Sequence, residues 1–321
     1  MAATDKLRWI IYMLRIRRVE FRIAEIPIVL VPIFLLMRDT AVLKTFAFWE
    51  GIFLFFLLFA FGDMINCLAD RDLDAVYKPH LSEAVYGLGV GFVTFQVIAS
   101  AIVALAISLH LSWVLNRWIL FPLVAVGLLL GTAYSVKPVQ LKGRGLAQLI
   151  CLWLIIFVGP MIFVGLLINE TPSLTVLIFA AGFGMVQMGV ILVNTAEDYP
   201  EDLEANIKTT IVSLGLHRGI ALAFWLTIVG AVFVTAALCI LFFQHAANPL
   251  WMIAVLPFVI ASRFVISDIA KLKNSIANST LEESIQKVKH SAKRVPLWIT
   301  IIAWSALATT FVYMMTKATR L

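Results

Sequence analysis

The sequence predicts an all-α integral membrane protein of about nine transmembrane helices, bundled around a central cavity and forming one polytopic domain over residues 1–321. Three observations predict it. The chain is 62% hydrophobic and only 14% charged, with a mean hydropathy of +0.97, outside the range of water-soluble domains. Apolar runs recur along it, each near the roughly 20 residues a helix needs to cross about 30 Å of hydrocarbon. An acidic pattern at the end of the second run returns four runs later, so two similar four-helix halves and a ninth span would set two acidic helix ends across one cavity.

Taken in order, the runs begin with Phe21–Met37, which follows an amphipathic basic segment, Leu7–Arg18. That segment lacks a small-residue cleavage site and reads as interfacial, not as a cleaved signal. Thr45–Leu68 comes next and carries the first acidic pattern at its end. Tyr86–Leu109, Val114–Tyr134 and Leu146–Leu167 are apolar throughout, and Leu174–Thr195 leads into the second acidic pattern. Ile220–Phe243, Leu250–Val265 and Pro296–Met315 complete the set. The longest polar connection, Ser267–Arg294, has the composition of a surface helix.

Basic residues set the orientation. Most of them, including Arg15, Arg17, Arg18, Arg71, Lys78, Lys137, Lys142, Arg144, Lys208, Lys271 and Arg294, fall on the side of the N-terminus. The other side holds Arg38, Lys44, Arg117, Lys317 and Arg320. This bias places the N-terminus and both acidic patterns in the cytoplasm. It also accounts for the net charge of +6, and no nucleic-acid-binding motif competes for it. Cys67, Cys151 and Cys239 all lie in or beside spans, so the sequence predicts no disulfide framework.

Chemistry concentrates in two segments, Asn66-Cys67-Leu68-Ala69-Asp70-Arg71-Asp72-Leu73-Asp74 and Asn194-Thr195-Ala196-Glu197-Asp198-Tyr199-Pro200-Glu201-Asp202. Both read NxxxDxxxD. Steps of four residues keep Asn66, Asp70 and Asp74 on one slowly drifting helix face. Carboxylates crowded at a membrane-edge helix end repel one another and lose hydration unless protons or cations neutralise them. An all-oxygen donor set suits Mg²⁺, which binds through one or two carboxylates plus substrate phosphates. Lys78, Lys137, Lys142, Arg144 and Lys208, on the same side, can neutralise a diphosphate.

Some nearby residues have plainer readings. Asp72 and Glu204, off the four-residue rhythm, read as solvated or paired with neighbours, and Arg71 and Arg218 as orientation charges. Asp63 lies one turn before Asn66 and deeper in its span. It reads either as a functional intramembrane group or as a hydrogen-bond partner for another helix. Pro200 predicts that Asp198 sits in the last turn of its helix and Asp202 in the loop beyond, whereas the first pattern stays helical through Asp74.

These segments resemble a family. The first pattern followed by Ala-Val-Tyr-Lys-Pro-His, the second followed by Ile207-Lys208-Thr209-Thr210, and the loop Tyr134-Ser135-Val136-Lys137-Pro138-Val139-Gln140-Leu141-Lys142-Gly143-Arg144 are similar to signatures of the UbiA superfamily of intramembrane prenyltransferases. The resemblance implies a nine-helix bundle with a lipid-open cavity in which Mg²⁺ holds a prenyl diphosphate. It implies that Asn66, Asp70, Asp74, Asn194, Asp198 and Asp202 carry the metal, with Asp70, Asp198 and Lys208 central to catalysis. Lys78, Tyr134, Lys142, Arg144 and Lys208 would bind the substrate. A lipophilic acceptor, aromatic or isoprenoid, would capture the prenyl group.

Two departures from the family pattern bear on that acceptor. Cys67 stands where many members have Asp, and Lys78-Pro79-His80 where many have Arg-Pro. One branch of the superfamily cyclises its prenyl diphosphate without an acceptor, which keeps a membrane terpene cyclase as the alternative. A cation-coupled transporter is the reading from another class, but its carboxylates would sit near the bilayer midplane instead of at one end of the spans.

Overall fold

The structure, a computed structural model, describes residues 3–168, 170–245 and 249–318. The opening helices are α1 (Ala3–Ile16), α2 (Arg22–Leu36), α3 (Phe46–Tyr77), α4 (Pro79–Leu88), α5 (Val90–Val114) and α6 (Leu120–Ser135). A helix broken by a π-helical turn, Trp153–Val158, follows as α7 (Leu146–Leu152) and α8 (Gly159–Leu167). Then come α9 (Leu174–Glu197), α10 (Tyr199–Glu204), α11 (Thr210–Leu214), α12 (Leu216–His245), α13 (Leu256–Ile276), α14 (Leu281–Ala292) and α15 (Val295–Ala318). No strand occurs among the described residues.

Local chemistry sets many of these boundaries. Thr45, Ser173, Thr209 and Thr280 sit at N-caps, each accepting a hydrogen bond from a backbone N–H of the first turn. Thr280 and Glu283 complete a reciprocal capping box. Lys78 precedes Pro79, which disfavours continuation of α3 and opens α4 in its first turn.

Seven described helices, counting α7–α8 as one, are long and apolar enough to cross a membrane. The expected nine is therefore approximate. The apolar α6 has 16 residues, about 24 Å of helix, and α2 has 15 and contains Pro27 and Pro32. Both fall short of a full span.

Several boundaries shift. Tyr86 belongs to α4, because Gly89, at φ +90, breaks the helix before α5 begins. The run expected from Val114 is divided between the end of α5 and an α6 that starts only at Leu120. The polar connection holds the end of α13 together with the separate surface helix α14. Arg320, assigned above to the opposite side, lies outside the described residues.

The chain divides into two compact units, Met1–Arg22 with Thr40–Leu141, and Ile23–Asp39 with Lys142–Leu321. In the first, α3 packs on α5 and α6, and α1 packs on α4 so closely that a Cβ on Gly87 would lie 2.2 Å from the Tyr12 ring. In the second, α9 is the most buried span and lies against α12. Small residues allow that approach. A Cβ on Gly189 would meet Thr227 Oγ1 at 2.2 Å, and one on Gly230 would meet the Gly182 carbonyl at 2.5 Å.

Candidate active site

In the first unit the acidic signature rides on a helix with no interruption. At 32 residues α3 extends about 48 Å, well beyond a hydrocarbon core of about 30 Å, so its polar end must project from the apolar layer. Asn66, Asp70 and Asp74 share a face there, drifting about 40° per step. Asn66 accepts a hydrogen bond from Ser135 Oγ at 3.3 Å, which joins the signature to the end of α6 beside the half-buried Tyr134. Asp70 is half-buried and Asp74 buried. Lys78 closes α3 with its N–H on the Asp74 carbonyl, 2.8 Å away.

The off-rhythm residues take structural partners. Asp72 accepts a hydrogen bond from the Tyr86 hydroxyl and lies 3.6 Å from Arg71. The hydrogen bond to Asp72 raises the Tyr86 pKa above its ordinary value. Asp63 forms an ion pair with Arg22 at 2.6 Å. Arg22 also donates to the Arg17 carbonyl, and Arg17 donates to Gln96. Burial, followed by the neighbouring Arg22 charge, lowers the Arg17 pKa.

In the second unit the backbone takes a different course. Helix α9 ends at Glu197 and Asp198 is the hinge residue. Asp202 lies within α10 and not in a loop, a correction with a simple cause. Proline breaks a helix interior but is tolerated in the first turn, where its missing N–H has no partner to lose, so Pro200 opens a short new helix. The Asp202 N–H bonds to the Asp198 carbonyl at 2.8 Å, so the two acidic residues remain one turn apart. Asn194 is exposed on the last turns of α9.

Beyond α10 the chain returns to the loop that carries Lys142 and Arg144. Ile207 N–H bonds back to the Asp202 carbonyl (2.8 Å), and Lys208 pairs with Arg144 in a short parallel bridge. Hydrogen bonds lock the two segments together. Gly145 N–H donates to the Lys208 carbonyl (2.8 Å), Thr210 Oγ1 donates to the Gly145 carbonyl (2.8 Å), and Thr210 N–H donates to Gln148 Oε1 (2.8 Å). Gly145 has φ +58, and a Cβ there would stand 3.1 Å from Ser213 Oγ. Lys142 is buried, while Arg144 and Lys208 are exposed. Asp198, Asp202, Lys142, Arg144 and Lys208 thus belong to one local assembly.

Gln148, Thr210, Ser135 and Arg22 hold these segments in place; Ser135 and Thr210 lie within the signature segments, but the sequence does not show their bonds, and Gln148 and Arg22 lie outside those segments. A lone amide in the first turn of an apolar helix is the signal that could find Gln148.

Each signature offers two carboxylates and an amide oxygen, and Cys67, the one thiol within them, is buried. That donor chemistry fits a hard divalent ion. Among the described residues no three His, Cys, Asp or Glu side chains form a ready metal-binding group. Mg²⁺ does not require one, since one or two carboxylates, waters and substrate phosphates satisfy it.

Comparison with known proteins identifies the family and the fold. Residues 26–280 match the model of the UbiA prenyltransferase family. A segment of 159 residues is 27% identical to homogentisate phytyltransferase from Synechocystis sp. (strain ATCC 27184 / PCC 6803 / Kazusa), covering 48% of this chain and 49% of that protein. The chain thus matches about half the length of this curated relative. The fold is similar to that of a UbiA homologue from Archaeoglobus fulgidus bound to DMAPP and Mg²⁺, with TM-score 0.61, 18% identity, and 90% and 98% of the two chains covered. It is also similar to digeranylgeranylglyceryl phosphate synthase, with TM-score 0.65, 14% identity, and 95% and 99% covered. The family match spans well over half of the chain, and the protein belongs to the UbiA prenyltransferase family, a family of multi-pass membrane enzymes.

Proposed function

We propose that the protein is an Mg²⁺-dependent intramembrane prenyltransferase that ionises a prenyl diphosphate and passes the prenyl group to a lipophilic acceptor, aromatic or isoprenoid. The observation that carries this reading is the locked pair of loops in the second unit, which gathers Lys142, Arg144 and Lys208 beside Asp198 and Asp202. A diphosphate needs that combination of cations with metal-binding carboxylates. Neighbours of the same fold bound to DMAPP or GPP with Mg²⁺ support it.

Asn66, Asp70, Asp74, Asn194, Asp198 and Asp202 would hold the metal, which when bound supplies positive charge against the departing diphosphate. Lys208, Lys142, Arg144 and Lys78 neutralise the phosphate oxygens as charge builds there, and Tyr134 positions them. The allylic C–O bond breaks with its electron pair leaving on the diphosphate. The acceptor then forms a bond to the allylic carbon and loses a proton, and the apolar surroundings exclude water that would quench the cation. The Lys and Arg distribution supports a cytoplasmic N-terminus and cytoplasmic signatures.

The test is direct. Purified protein given labelled farnesyl or geranylgeranyl diphosphate and Mg²⁺ should release diphosphate and prenylate an added acceptor, with products identified by mass spectrometry. Activity should vanish in EDTA and return with Mg²⁺ or Mn²⁺. Cyclised hydrocarbon formed without acceptor would reassign the protein as a terpene cyclase. Full activity after exhaustive chelation would overturn the metal-dependent reading.

A further inference from the structure

A cleft of about 430 Å³ opens in the second unit where the polar ends of α13 and α15 meet α14, and no signature residue lines it. Its walls are rich in donors. Lys271, Lys287, His290, Arg294 and Trp298 line it against one carboxylate, Asp268. Three permanent cations and one anion leave a surplus of two positive charges before His290 is counted.

That carboxylate is already committed. The Asp268 side chain is buried, with Arg294 Nη2 at 2.7 Å from its Oδ2, an ionic contact outside hydrogen-bonding angles, and Lys271 Nζ at 3.7 Å from its Oδ1. Arg294 is held further by two rings, its guanidinium carbon 5.5 Å from the centre of Phe264 and 5.8 Å from that of Trp298. Lys287 is fixed by the Ser275 carbonyl (2.9 Å) and Ser279 Oγ (2.7 Å). Trp298 is 1% exposed, and its Nε1–H has no hydrogen-bond partner. A buried donor left without an acceptor is destabilising, so its presence beside a cationic cleft points to an acceptor arriving from outside.

A ligand for this wall must be an anion carrying several acceptor oxygens, which describes a phosphate group. The surroundings indicate its source. Ile260 and Phe264 on α13 and Leu297 on α15 are exposed apolar side chains on membrane-spanning helices, the environment of acyl chains directly below a headgroup. Basic clefts at the ends of such helices suit anionic headgroups.

We propose that the α13–α14–α15 cleft binds the phosphate of an anionic phospholipid headgroup. This site is independent of prenyl transfer and stands or falls without it.

Delipidated full-length protein should be reconstituted with phosphatidylglycerol or with phosphatidylcholine and the retained lipid counted by native mass spectrometry. Wild type should retain phosphatidylglycerol in preference. Lys271→Gln with His290→Gln alters only exposed side chains and should weaken that retention roughly tenfold. Arg294→Gln with Asp268→Asn removes the exposed cation and its buried anionic partner together, and should weaken it similarly without leaving an uncompensated buried charge. Equal retention of the two lipids, or unchanged retention in both double variants, would overturn the proposal. Inorganic phosphate that displaces phosphatidylglycerol and itself remains bound would overturn the lipid source and leave a free-anion site.

Discussion

The two acidic signatures share one spelling and differ in backbone. Asn66, Asp70 and Asp74 lie on a single uninterrupted helix, so their spacing is set by helical geometry, and Ser135 adds a long-range bond to Asn66. Asn194, Asp198 and Asp202 straddle a break, and the chain beyond them is held by bonds to a loop more than sixty residues earlier. The first signature is therefore local in its construction. The second depends on residues far away in sequence, and that makes it the more fragile half.

The largest expected effect tests whether the halves are chemically equivalent despite this difference. Asp70→Ala and Asp198→Ala should each lower diphosphate release by about 10²–10³-fold or more, as expected for loss of a group that stabilises developing charge. Both should remain folded, because neither side chain fills core volume. Near-normal turnover in one well-folded variant would show that only the other half holds the metal.

Lys208 sharpens the comparison, because the first unit has no cation stitched into a comparable bridge among its described residues. Lys208→Ala should weaken prenyl diphosphate turnover by roughly 10–100-fold if a charge-assisted contact worth about 1.5–3 kcal/mol is lost. Lys208→Arg should keep part of the activity, since the charge persists while its geometry changes. Unchanged kcat and KM in Lys208→Ala would reduce this residue to an orientation charge.

A smaller effect tests the fragility itself. Thr210→Val removes the donor to the buried Gly145 carbonyl and should destabilise the protein by about 1–3 kcal/mol, with loss of diphosphate affinity. Ser135→Ala, which removes one 3.3 Å bond to Asn66, should cost less than about 1 kcal/mol. Thermal inactivation in detergent would rank the two, and a larger loss in Ser135→Ala would reverse the comparison.

The smallest effect concerns Tyr86 at the edge of the first signature. Its raised pKa means that the hydrogen bond to Asp72 stabilises the fold at pH values below the ordinary tyrosine value near 10. That contribution is lost as pH rises through the higher folded value. Asp72→Asn should bring the Tyr86 titration downward, read by tyrosinate absorbance, and an unmoved titration would remove Asp72 as the cause.

Much of this construction was legible because it rests on local rules. The apolar runs predicted the spans, and four-residue spacing placed the first signature on a helix face through Asp74. Other parts follow rules that a hydropathy window does not contain. Gly89 ends α4 through its positive φ, although the apolar run continues past it. Pro200 reads in sequence as a terminator, while its place in the first turn of α10 makes it an initiator. The contacts of Thr210 with Gly145 and Gln148 join residues more than sixty positions apart, and no periodicity announces such pairing.

The two carboxylates that bracket the uncharged stretch of α3 carry a consequence for biosynthesis. Asp63 pairs with Arg22, which is translated before it, so its counter-charge already exists when α3 leaves the ribosome. Glu50 pairs with His110, translated 60 residues later. At ordinary elongation rates that delay lasts roughly 3–12 s. During it Glu50 waits for its partner while Asp63, near the middle of α3, already has one, so the two carboxylates of the nascent helix are matched in a fixed order.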